Sequence, residues 1–459
     1  MPRVKLARRH AFSLMGFYWS PPRNPGTFRL VMKPPKSPAV VLLTGAAGFL
    51  GKVVLEELIR RKQELQVEKI ILILRSKRGK TARERFDSSI TRSECFKLHD
   101  ERWVGMVEVL SGDLGQDHFG TSVGECERLA KEVTHIIHCA ASIDFNLPVR
   151  LAAQANISSA LSVLEFAKTC RHLERMVAVS TAYVNPHREG EIGETLATLP
   201  VPAKKLYRDI LEKKIGEKDV LGMLGHPNTY TLTKCLAEHL LTAERGTVPL
   251  SIVRPSIISV AEKFPLPGWI DSNAALAGFI SGSALGYVRL ISGDPEARAD
   301  IVPVDRVSHK IVNEAFYPDL TREAPIIHAV SGLKNALRVG LIEETMTNYF
   351  KRHPQERPIR VSKVAPYSFK LELEHRFYHQ APLFLARLGA RLTGKKQLSK
   401  RMKKMSQRME TLFRLFPYFT HHTFDFKLPD PDFSLDQKAY AELISEGTHR
   451  FLLRNQFQK

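Results

Sequence analysis

The sequence predicts a doubly wound α/β fold followed by a smaller helical domain, and three observations lead to this prediction. Short apolar segments rich in valine, isoleucine and leucine alternate with helical patterns from residue 39 to about residue 335. A glycine-rich turn over residues 44–51 separates the first apolar segment from the first helical pattern. Beyond residue 335 the sequence becomes helix-rich, aromatic and basic. Regular alternation of strand and helix is typical of parallel β-α-β units in an open, twisted sheet.

The strands are predicted from short apolar runs, and the helices from apolar residues at helical spacing. The run at residues 39–43 has the character of a buried parallel strand, and the first helix is expected over residues 52–61. Further strands are predicted at residues 69–74, 107–111, 135–138, 176–180 and 250–253. Helical stretches lie between most of these strands, so the sheet is expected to carry helices on both faces.

The chain is long enough for more than one domain, since its 459 residues exceed the roughly 250–300 at which a single core stops growing. Three segments are predicted: a basic leader over residues 1–38, a nucleotide-binding domain over 39–335 and a helix-rich domain over 336–459. The leader has no acidic residue, the first one in the chain being Glu56. Such a leader is compatible with a transit peptide, and equally with a disordered extension upstream of a true start at Met32.

Charge and cysteine content narrow the classes of partner and compartment. A formal net charge of +20 favours anionic partners, which include nucleic acid, acidic lipid and phosphate-bearing cofactors. The five cysteines form no C-x-x-C pair, so we expect a reducing compartment and no metal site. No apolar stretch reaches the roughly 18 residues that a membrane span needs. We therefore expect a cytoplasmic protein with at most peripheral membrane contact, and targeting to an organelle by the leader stays open.

The glycine-rich turn has the form of a dinucleotide-binding loop of the Rossmann type. Thr44 precedes glycines at positions 45, 48 and 51, and Phe49 and Leu50 complete the motif. The glycines allow a tight turn and let the backbone approach a pyrophosphate held at the helix N-terminus. The context of strand, turn and helix makes cofactor binding the favoured interpretation over an ordinary β-α turn.

The end of the second predicted strand indicates which dinucleotide is bound. NAD-binding domains usually carry an acidic residue there for the ribose 2′-hydroxyl. Here the strand ends in Leu74-Arg75-Ser76-Lys77-Arg78, with cations and no carboxylate. Arg75 is a natural partner for a 2′-phosphate, so NADPH is predicted in preference to NADH. The alternative is a solvated basic loop.

Other residues at strand ends are expected to contact the cofactor, because ligands of open α/β sheets bind at the carboxyl ends of the strands. Asp113 is placed to meet the adenine and is followed by Leu114, while Ala140 and Ala141 are small enough to let the cofactor pass. Asn156 is expected to help organise the site, although a single buried asparagine could equally be structural.

A tyrosine and a lysine form the predicted catalytic pair. Tyr230 and Lys234 are four residues apart and therefore share one face of a helix. A neighbouring ammonium is expected to lower the pKa of the phenol and so to make it a better proton donor. Thr181, at the end of a predicted strand, could hold a substrate oxygen. Together the three residues predict a reductase centre.

Six sequence blocks, in this order, identify a family that the chain resembles. They are TGAAGFLG at residues 44–51, VSTAY at 179–183, YTLTK at 230–234, IVRPSII at 252–258, PGWID at 267–271 and DIVPVD at 300–305. With them the chain resembles the fatty acyl-CoA reductases, the alcohol-forming "male sterility" group of extended short-chain dehydrogenases/reductases. The resemblance covers residues 38–335 well and the rest more loosely. The PGWID and DIVPVD blocks matter most, since generic dehydrogenases of this class lack them.

The resemblance implies NADPH-dependent reduction of a long-chain acyl-CoA to a fatty alcohol through an aldehyde, by two hydride transfers. Thr181, Tyr230 and Lys234 are then the catalytic residues, and Tyr230 and Lys234 also contact the cofactor. Three alternatives fit part of the same pattern. The enzyme could stop at the aldehyde, or a sterol or sugar-nucleotide dehydrogenase could use the same pair. A nonenzymatic nucleotide sensor or nucleic-acid-binding protein has no use for a proton donor, so no nucleic-acid partner is expected.

The basic C-terminal segment has two interpretations. Residues 374–416 carry apolar residues at helical spacing, interleaved with cations, which is usual for a packed helix. The same pattern is expected of a surface that accepts an acyl chain or lies on an acidic bilayer. The aromatic stretch from Phe413 to Phe426 could line a pocket, and no metal is expected there.

Overall fold

Seven strands build the central sheet. They are β1 Ala39–Thr44, β2 Val67–Leu74, β3 Val107–Ser111, β4 His135–His138, β5 Arg175–Val179, β6 Leu250–Pro255 and β7 Ile326–Ala329. Their spatial order is β7-β6-β5-β4-β1-β2-β3, and every neighbouring pair is parallel. The order reverses between β1 and β4, which leaves a crevice at their carboxyl ends. The predicted doubly wound α/β fold is confirmed.

The computed structural model describes residues 38–453 except 78, 319–324, 356–358, 360–362, 367, 401, 404–405, 407–412, 414–415 and 429. The predicted leader over residues 1–38 lies outside the described residues, apart from Pro38. Six of the seven strands were predicted to within about two residues. Strand β7, Ile326–Ala329, was not predicted.

The helices are α1 Phe49–Arg60, α2 Ala82–Phe86, α3 Val123–Glu132, α4 Val149–Ala153, α5 Ser159–Thr169, α6 Ala203–Leu211, α7 Glu217–Leu224, α8 Thr229–Glu244, α9 Ala275–Ala284, α10 Val304–Phe316, α11 Val339–Arg352, α12 Phe369–His375, α13 Ala381–Leu392, α14 Pro417–Thr420 and α15 Gln437–Gly447. Short strands outside the sheet are Glu191–Ile192, Ile257–Ser259, Leu290–Ser292, Arg298–Ala299, Ile301–Pro303, Leu337–Arg338, Lys363–Ala365 and Asp425–Phe426.

Helices cover both faces of the sheet, as the sequence predicted. Helices α1 and α10 pack together on one face, and α3, α5 and α8 lie on the other. Side chains alternate between the two layers along each strand, because successive residues of a strand point to opposite faces. In β1, for example, Val41 and Leu43 join the first layer and Leu42 joins the second.

The C-terminal part of the chain packs on the same core. Helix α15 lies against α11, and Phe433, Leu435 and Tyr440 are buried in the cluster that also contains α1. All described residues belong to one compact unit. The division of the chain between residues 335 and 336 stays a prediction. Within the described residues, no helix combines the length and the apolar character that crossing a membrane requires.

Candidate active site

The glycine-rich turn joins the end of β1 to the start of α1. Gly45 has a φ of 77°, and a Cβ atom there would lie 2.7 Å from the Ala140 backbone nitrogen. A Cβ on Gly51 would lie 2.2 Å from the Gly45 carbonyl oxygen. Gly48 occupies the N-cap position, no side chain caps the helix, and no acidic residue stands in its first turn. The helix N-terminus is therefore suited to an anion such as a pyrophosphate.

A buried histidine ties the carboxyl ends of β1 and β4 together. The Thr44 hydroxyl lies 2.9 Å from His138 Nδ1, and the Ala140 amide donates to the same hydroxyl at 3.4 Å. Burial lowers the pKa of His138 to about 3, so the ring is neutral. The sequence analysis did not single out His138, although its place at the end of a predicted strand was a usable signal.

Arg75 and Asp113 meet at the carboxyl ends of β2 and β3. Their charged groups lie 3.8 Å apart, and both side chains are exposed. The Asp113 carboxylate also accepts from the Gly115 amide at 3.1 Å, and Leu114 beside it is buried. Arg85 donates to the Arg75 carbonyl. A cation thus stands at the position predicted for the ribose, with the aspartate predicted for the adenine next to it. Arg78 lies outside the described residues.

Asn156 is buried in a π-helical turn, Gln154–Ser158, a type of turn that often marks functional positions. Its oxygen accepts from the Ser142 amide at 2.7 Å, and its nitrogen donates to the Ser142 carbonyl at 3.2 Å and to the Thr233 hydroxyl at 3.0 Å. Asn156 therefore fastens the loop after β4, which contains Ala140 and Ala141, to helix α8. These bonds favour a positioning role over direct contact with a cofactor.

Helix α8 brings Tyr230 and Lys234 beside the ends of β5 and β6. Asn228 caps the helix by accepting from the Thr231 amide at 2.9 Å. The Lys234 ammonium donates to the Val179 carbonyl at 2.7 Å, at the end of β5. Thr181 lies close enough to Tyr230 to act on the pKa of its phenol, and the Thr181 hydroxyl donates to the Pro255 carbonyl, at the end of β6, at 3.4 Å. The structure thus brings the three predicted catalytic residues together.

Burial controls the pKa of both members of the pair. It raises the pKa of Tyr230 to about 12, with the Thr181 hydroxyl acting in the opposite direction. It lowers the pKa of Lys234 to about 8, against the smaller effects of Cys139 and Glu238. The expected lowering of the phenol pKa by Lys234 is therefore not met. Desolvation dominates, and the ammonium is engaged by a backbone carbonyl.

A buried ion pair fixes α8 against β6. Arg254 donates to both carboxylate oxygens of Glu238, at 2.9 and 2.6 Å, and both side chains are almost fully buried. Arg254 also donates to the Thr195 carbonyl at 2.8 Å. Two-point pairing of this kind fixes orientation as well as distance. The arginine of the IVRPSII block thereby positions the helix that carries Tyr230.

The PGWID block packs directly on the start of α1. Asp271 forms an ion pair with Lys52, and Trp269 stacks on Phe49 with ring centroids 5.4 Å apart. Lys52 and Phe49 belong to the first turns of the helix that begins at the glycine-rich turn. The block therefore lies beside the predicted pyrophosphate site.

The two aspartates of the DIVPVD block organise neighbouring loops. Asp300 accepts from the Ser256 hydroxyl at 2.6 Å and from the Ser331 and Gly332 amides at 2.8 Å each. Asp305 accepts from three consecutive amides, Glu262 to Phe264, at 2.9 to 3.1 Å. The latter loop leads into the PGWID block, so both aspartates act on the shape of the site.

An aromatic wall leads from Tyr230 to an apolar cavity. The Phe145 ring lies 5.8 Å from Tyr230 and 6.3 Å from Phe419, and Phe419 lies 4.9 Å from Tyr183. Phe419 also lines the cavity, together with Phe279, Phe416 and aliphatic side chains such as Ile291. The stretch from Phe413 to Phe426 thus contributes to a pocket, whereas Phe145 had no signal in the sequence.

A second cavity adjoins the first and shares Phe279, Phe416 and Ile291 with it. The rings of Phe279 and Phe416 are stacked, with centroids 5.6 Å apart and planes 10° from parallel. His375 and His379 line the far side of the second cavity. The stacked pair of Phe279 and Phe416 therefore forms a partition between the two cavities.

Comparison with known proteins places this site in a family. Residues 43–311 match the family described as "Male sterility protein", whose domain binds a nicotinamide dinucleotide. Fatty acyl-CoA reductase 1 of Pongo abelii is 32% identical over 405 residues, which cover 83% of this chain and 75% of that protein. Fatty acyl-CoA reductase 2 of Bos taurus is 30% identical over 400 residues, covering 84% and 75%.

A solved structure shares the fold. The terminal R domain from the myxalamid PKS-NRPS biosynthetic pathway aligns with a TM-score of 0.61 at 22% identity, and the alignment covers 92% of this chain and 93% of that one. The family match spans more than half of the chain, and the relatives align over most of it. The chain therefore belongs to the fatty acyl-CoA reductases, in the group described as male sterility proteins.

Proposed function

We propose that the protein reduces long-chain fatty acyl-CoA to fatty alcohol, using two molecules of NADPH. One observation carries the proposal. Thr181, Tyr230 and Lys234 stand together at the carboxyl ends of the strands, and an aromatic wall connects them to an apolar cavity. A proton donor beside a cavity with an apolar lining suits the reduction of an acyl group.

The fit to a nicotinamide dinucleotide rests on residues of this chain. The uncapped N-terminus of α1 and Gly48 would hold the pyrophosphate, and Lys234 would hold the nicotinamide ribose. When bound, the dihydronicotinamide supplies the hydride for each reduction. Arg75 favours the 2′-phosphate of NADPH, because an exposed guanidinium at the end of β2 can pair with it in two-point geometry.

The hydroxyls of Thr181 and Tyr230 would act on the carbonyl oxygen. In the first reduction they donate hydrogen bonds to the hemithioacetal oxyanion, and its collapse releases the CoA thiolate and leaves an aldehyde. In the second reduction Tyr230 gives its proton to the alkoxide that forms from the aldehyde. A pKa of about 12 keeps the phenol protonated until that step.

The apolar cavity beside Phe419 would hold the acyl chain close to Tyr230. Its lining is almost entirely carbon, and it draws residues from both sides of the predicted domain boundary. We therefore propose that residues 39–335 supply the chemistry and that the helix-rich residues 336–459 complete the acyl site. A reducing, cytoplasmic location with peripheral membrane contact is part of this proposal, and all five cysteines are free thiols.

The ratio of NADPH consumed to CoA released tests the assignment. The purified protein is incubated with NADPH and acyl-CoAs of graded length, and the amounts of NADPH consumed and CoA released are measured. We expect two NADPH per CoA and fatty alcohol as the product, because the same hydroxyls suit a thioester and an aldehyde carbonyl. Little aldehyde should accumulate.

Trapping of free aldehyde with a hydrazine tests the alternative, in which the enzyme releases the aldehyde. A steady ratio of one NADPH per CoA, with stoichiometric hydrazone, would show an enzyme that stops at the aldehyde. Tyr230→Phe serves as the control, since it should still bind NADPH but lose turnover by about 10²–10⁴-fold. Unchanged turnover in Tyr230→Phe would remove the phenol from the mechanism.

A further inference from the structure

Large apolar side chains are concentrated on one part of the protein surface. More than half of those that are exposed among the described residues lie between residues 369 and 398. Scattered single apolar residues are normal on a surface, but contiguous ones mark a site of interaction. This segment includes helices α12 and α13, which are joined without a break by the π-helical turn Arg376–Gln380.

This long helix is apolar on two sides. On its inner side Leu371, His375, His379 and Ala390 are buried against the protein. We define the outer face by the exposed residues Phe369, Leu373, Phe377, Phe384, Leu385, Leu388 and Leu392. A single apolar stripe is enough to pack a helix on its own protein, so a second apolar face that stays exposed among the described residues marks a surface for a partner.

Cations predominate around the C-terminal part of the outer face. Glu372 and Glu374 flank its first turns, and Glu372 pairs with Arg376, but from His375 to Lys400 the sequence contains no acidic residue. Lys370, Arg391, Lys395, Lys396 and Lys400 are all exposed. An apolar face with a cationic surround complements an anionic phospholipid surface, which offers hydrocarbon below a layer of negative charge. A symmetric dimer would bring the same cations together in both copies, so the charge disfavours a second copy as the occupant.

We propose that the outer face binds the surface of an anionic phospholipid bilayer. The helix would lie in the interfacial plane with its apolar side chains in the headgroup and upper acyl region. His375 and His379, on the inner side of the same helix, line the second cavity. Docking therefore brings the cavities next to the bilayer, which can take up a long-chain alcohol. Only this consequence rests on the proposed function.

Vesicle co-sedimentation without substrate tests the docking itself. The full chain is mixed with vesicles of phosphatidylcholine alone or with added phosphatidylserine. We expect binding to the anionic vesicles that weakens as salt is raised. Leu385→Glu and Phe377→Glu should each lower the affinity about tenfold, because each replaces an apolar side chain that the bilayer would bury. Lys395→Glu and Lys396→Glu should each lower it about fivefold.

Leu98→Glu is the matched control, since Leu98 is 70% exposed and lies far from the outer face in the sequence. It should bind vesicles as the parent chain does. Equal binding by the parent and Leu385→Glu overturns the proposal, as does no binding of the parent to anionic vesicles. Light scattering that shows a dimer of the parent and a monomer of Leu385→Glu assigns the face to a second copy instead. Unchanged thermal unfolding of each variant verifies that it is folded.

Discussion

At the scale of single residues, burial reverses the order in which Tyr230 and Lys234 lose their protons. In water a phenol titrates slightly before an ammonium. In the folded protein the pKa of Tyr230 rises to about 12 and that of Lys234 falls to about 8. Near neutral pH the phenol can therefore only give a proton, while the ammonium is close to its own titration. The two groups therefore titrate at different pH values, and a pH profile of activity can distinguish them.

We predict that kcat/KM falls as the pH rises through about 8, because Lys234 then loses the charge that holds the ribose. The effect on stability has the opposite sign. Since the folded pKa of Lys234 lies below the unfolded value of 10.5, the contribution of this lysine to stability grows as the pH rises between them. The titration of Lys234 therefore does not itself unfold the protein.

Lys234→Arg supplies the comparison for the pH profile. Arginine keeps its charge throughout this range, so any residual activity of the variant should show no decline near pH 8. A decline of the same position and depth in both proteins would assign the titration to another group.

The proposed role of Arg75 is to set the preference for the phosphorylated cofactor. We predict that Arg75→Asp raises the KM for NADPH about tenfold to hundredfold, because it replaces a charge-assisted hydrogen bond with repulsion. The KM for NADH should change little. Arg102→Asp is the matched control, as Arg102 is also exposed but precedes the amino end of β3. Equal rises for both cofactors would contradict the assignment of Arg75 to the 2′-phosphate.

At the scale of elements, we propose that Phe279 of helix α9 and Phe416 limit the length of the apolar space. The stacked rings of these two residues line both the cavity beside Phe419 and the cavity beside His379. We expect the removal of one ring to join the two spaces. Phe416 is only half-buried, so its truncation should cost less stability than truncating Phe279.

We predict that Phe416→Ala shifts the preference toward longer acyl-CoAs, seen as a rise in kcat/KM for long chains relative to short ones. Phe316→Ala is the control, since Phe316 is also half-buried and stacks on His135 at the amino end of β4. If Phe416→Ala has a Tm near that of the control and an unchanged preference for acyl-chain length, the stacked pair does not limit the length of acyl chain that the enzyme accepts.

The elements also show what the sequence could predict. Strands β1 to β6 were predicted from apolar residues between helical patterns, whereas β7 was missed although it is as long as β4. Tyr230, Lys234 and Thr181 were found from local spacing and strand ends, and Phe419 lies in the aromatic stretch that was predicted to line a pocket. Phe145 and His138 were missed, because their roles depend on which segments meet in space. The pKa of Tyr230 was misjudged for the same reason, since burial has no local signature.

At the scale of the whole molecule, distant segments complete the site. Lys52 and Asp271 are 219 positions apart, and no spacing rule connects them. The sequence blocks nevertheless indicated the family, because a block such as PGWID can be recognised from one of the two residues that form such a contact. The matched region ends at residue 311, while the apolar cavity also uses Val339, Phe416 and Phe419. The part that we propose to hold the acyl chain therefore extends beyond the part that identifies the family.

The contact between the PGWID block and helix α15 can form only late in the synthesis of the chain. A Cβ on Gly268, in the PGWID block, would lie 3.2 Å from the Gly447 Cα at the end of α15. During synthesis the 178 residues between these glycines must be added before the two can meet, which takes roughly 10–35 seconds at typical rates of translation. Strands β1 to β6 precede Gly268 in the sequence, so they are available to pair before then. We therefore expect the predicted cofactor site to form before the loop beside it reaches its final packing.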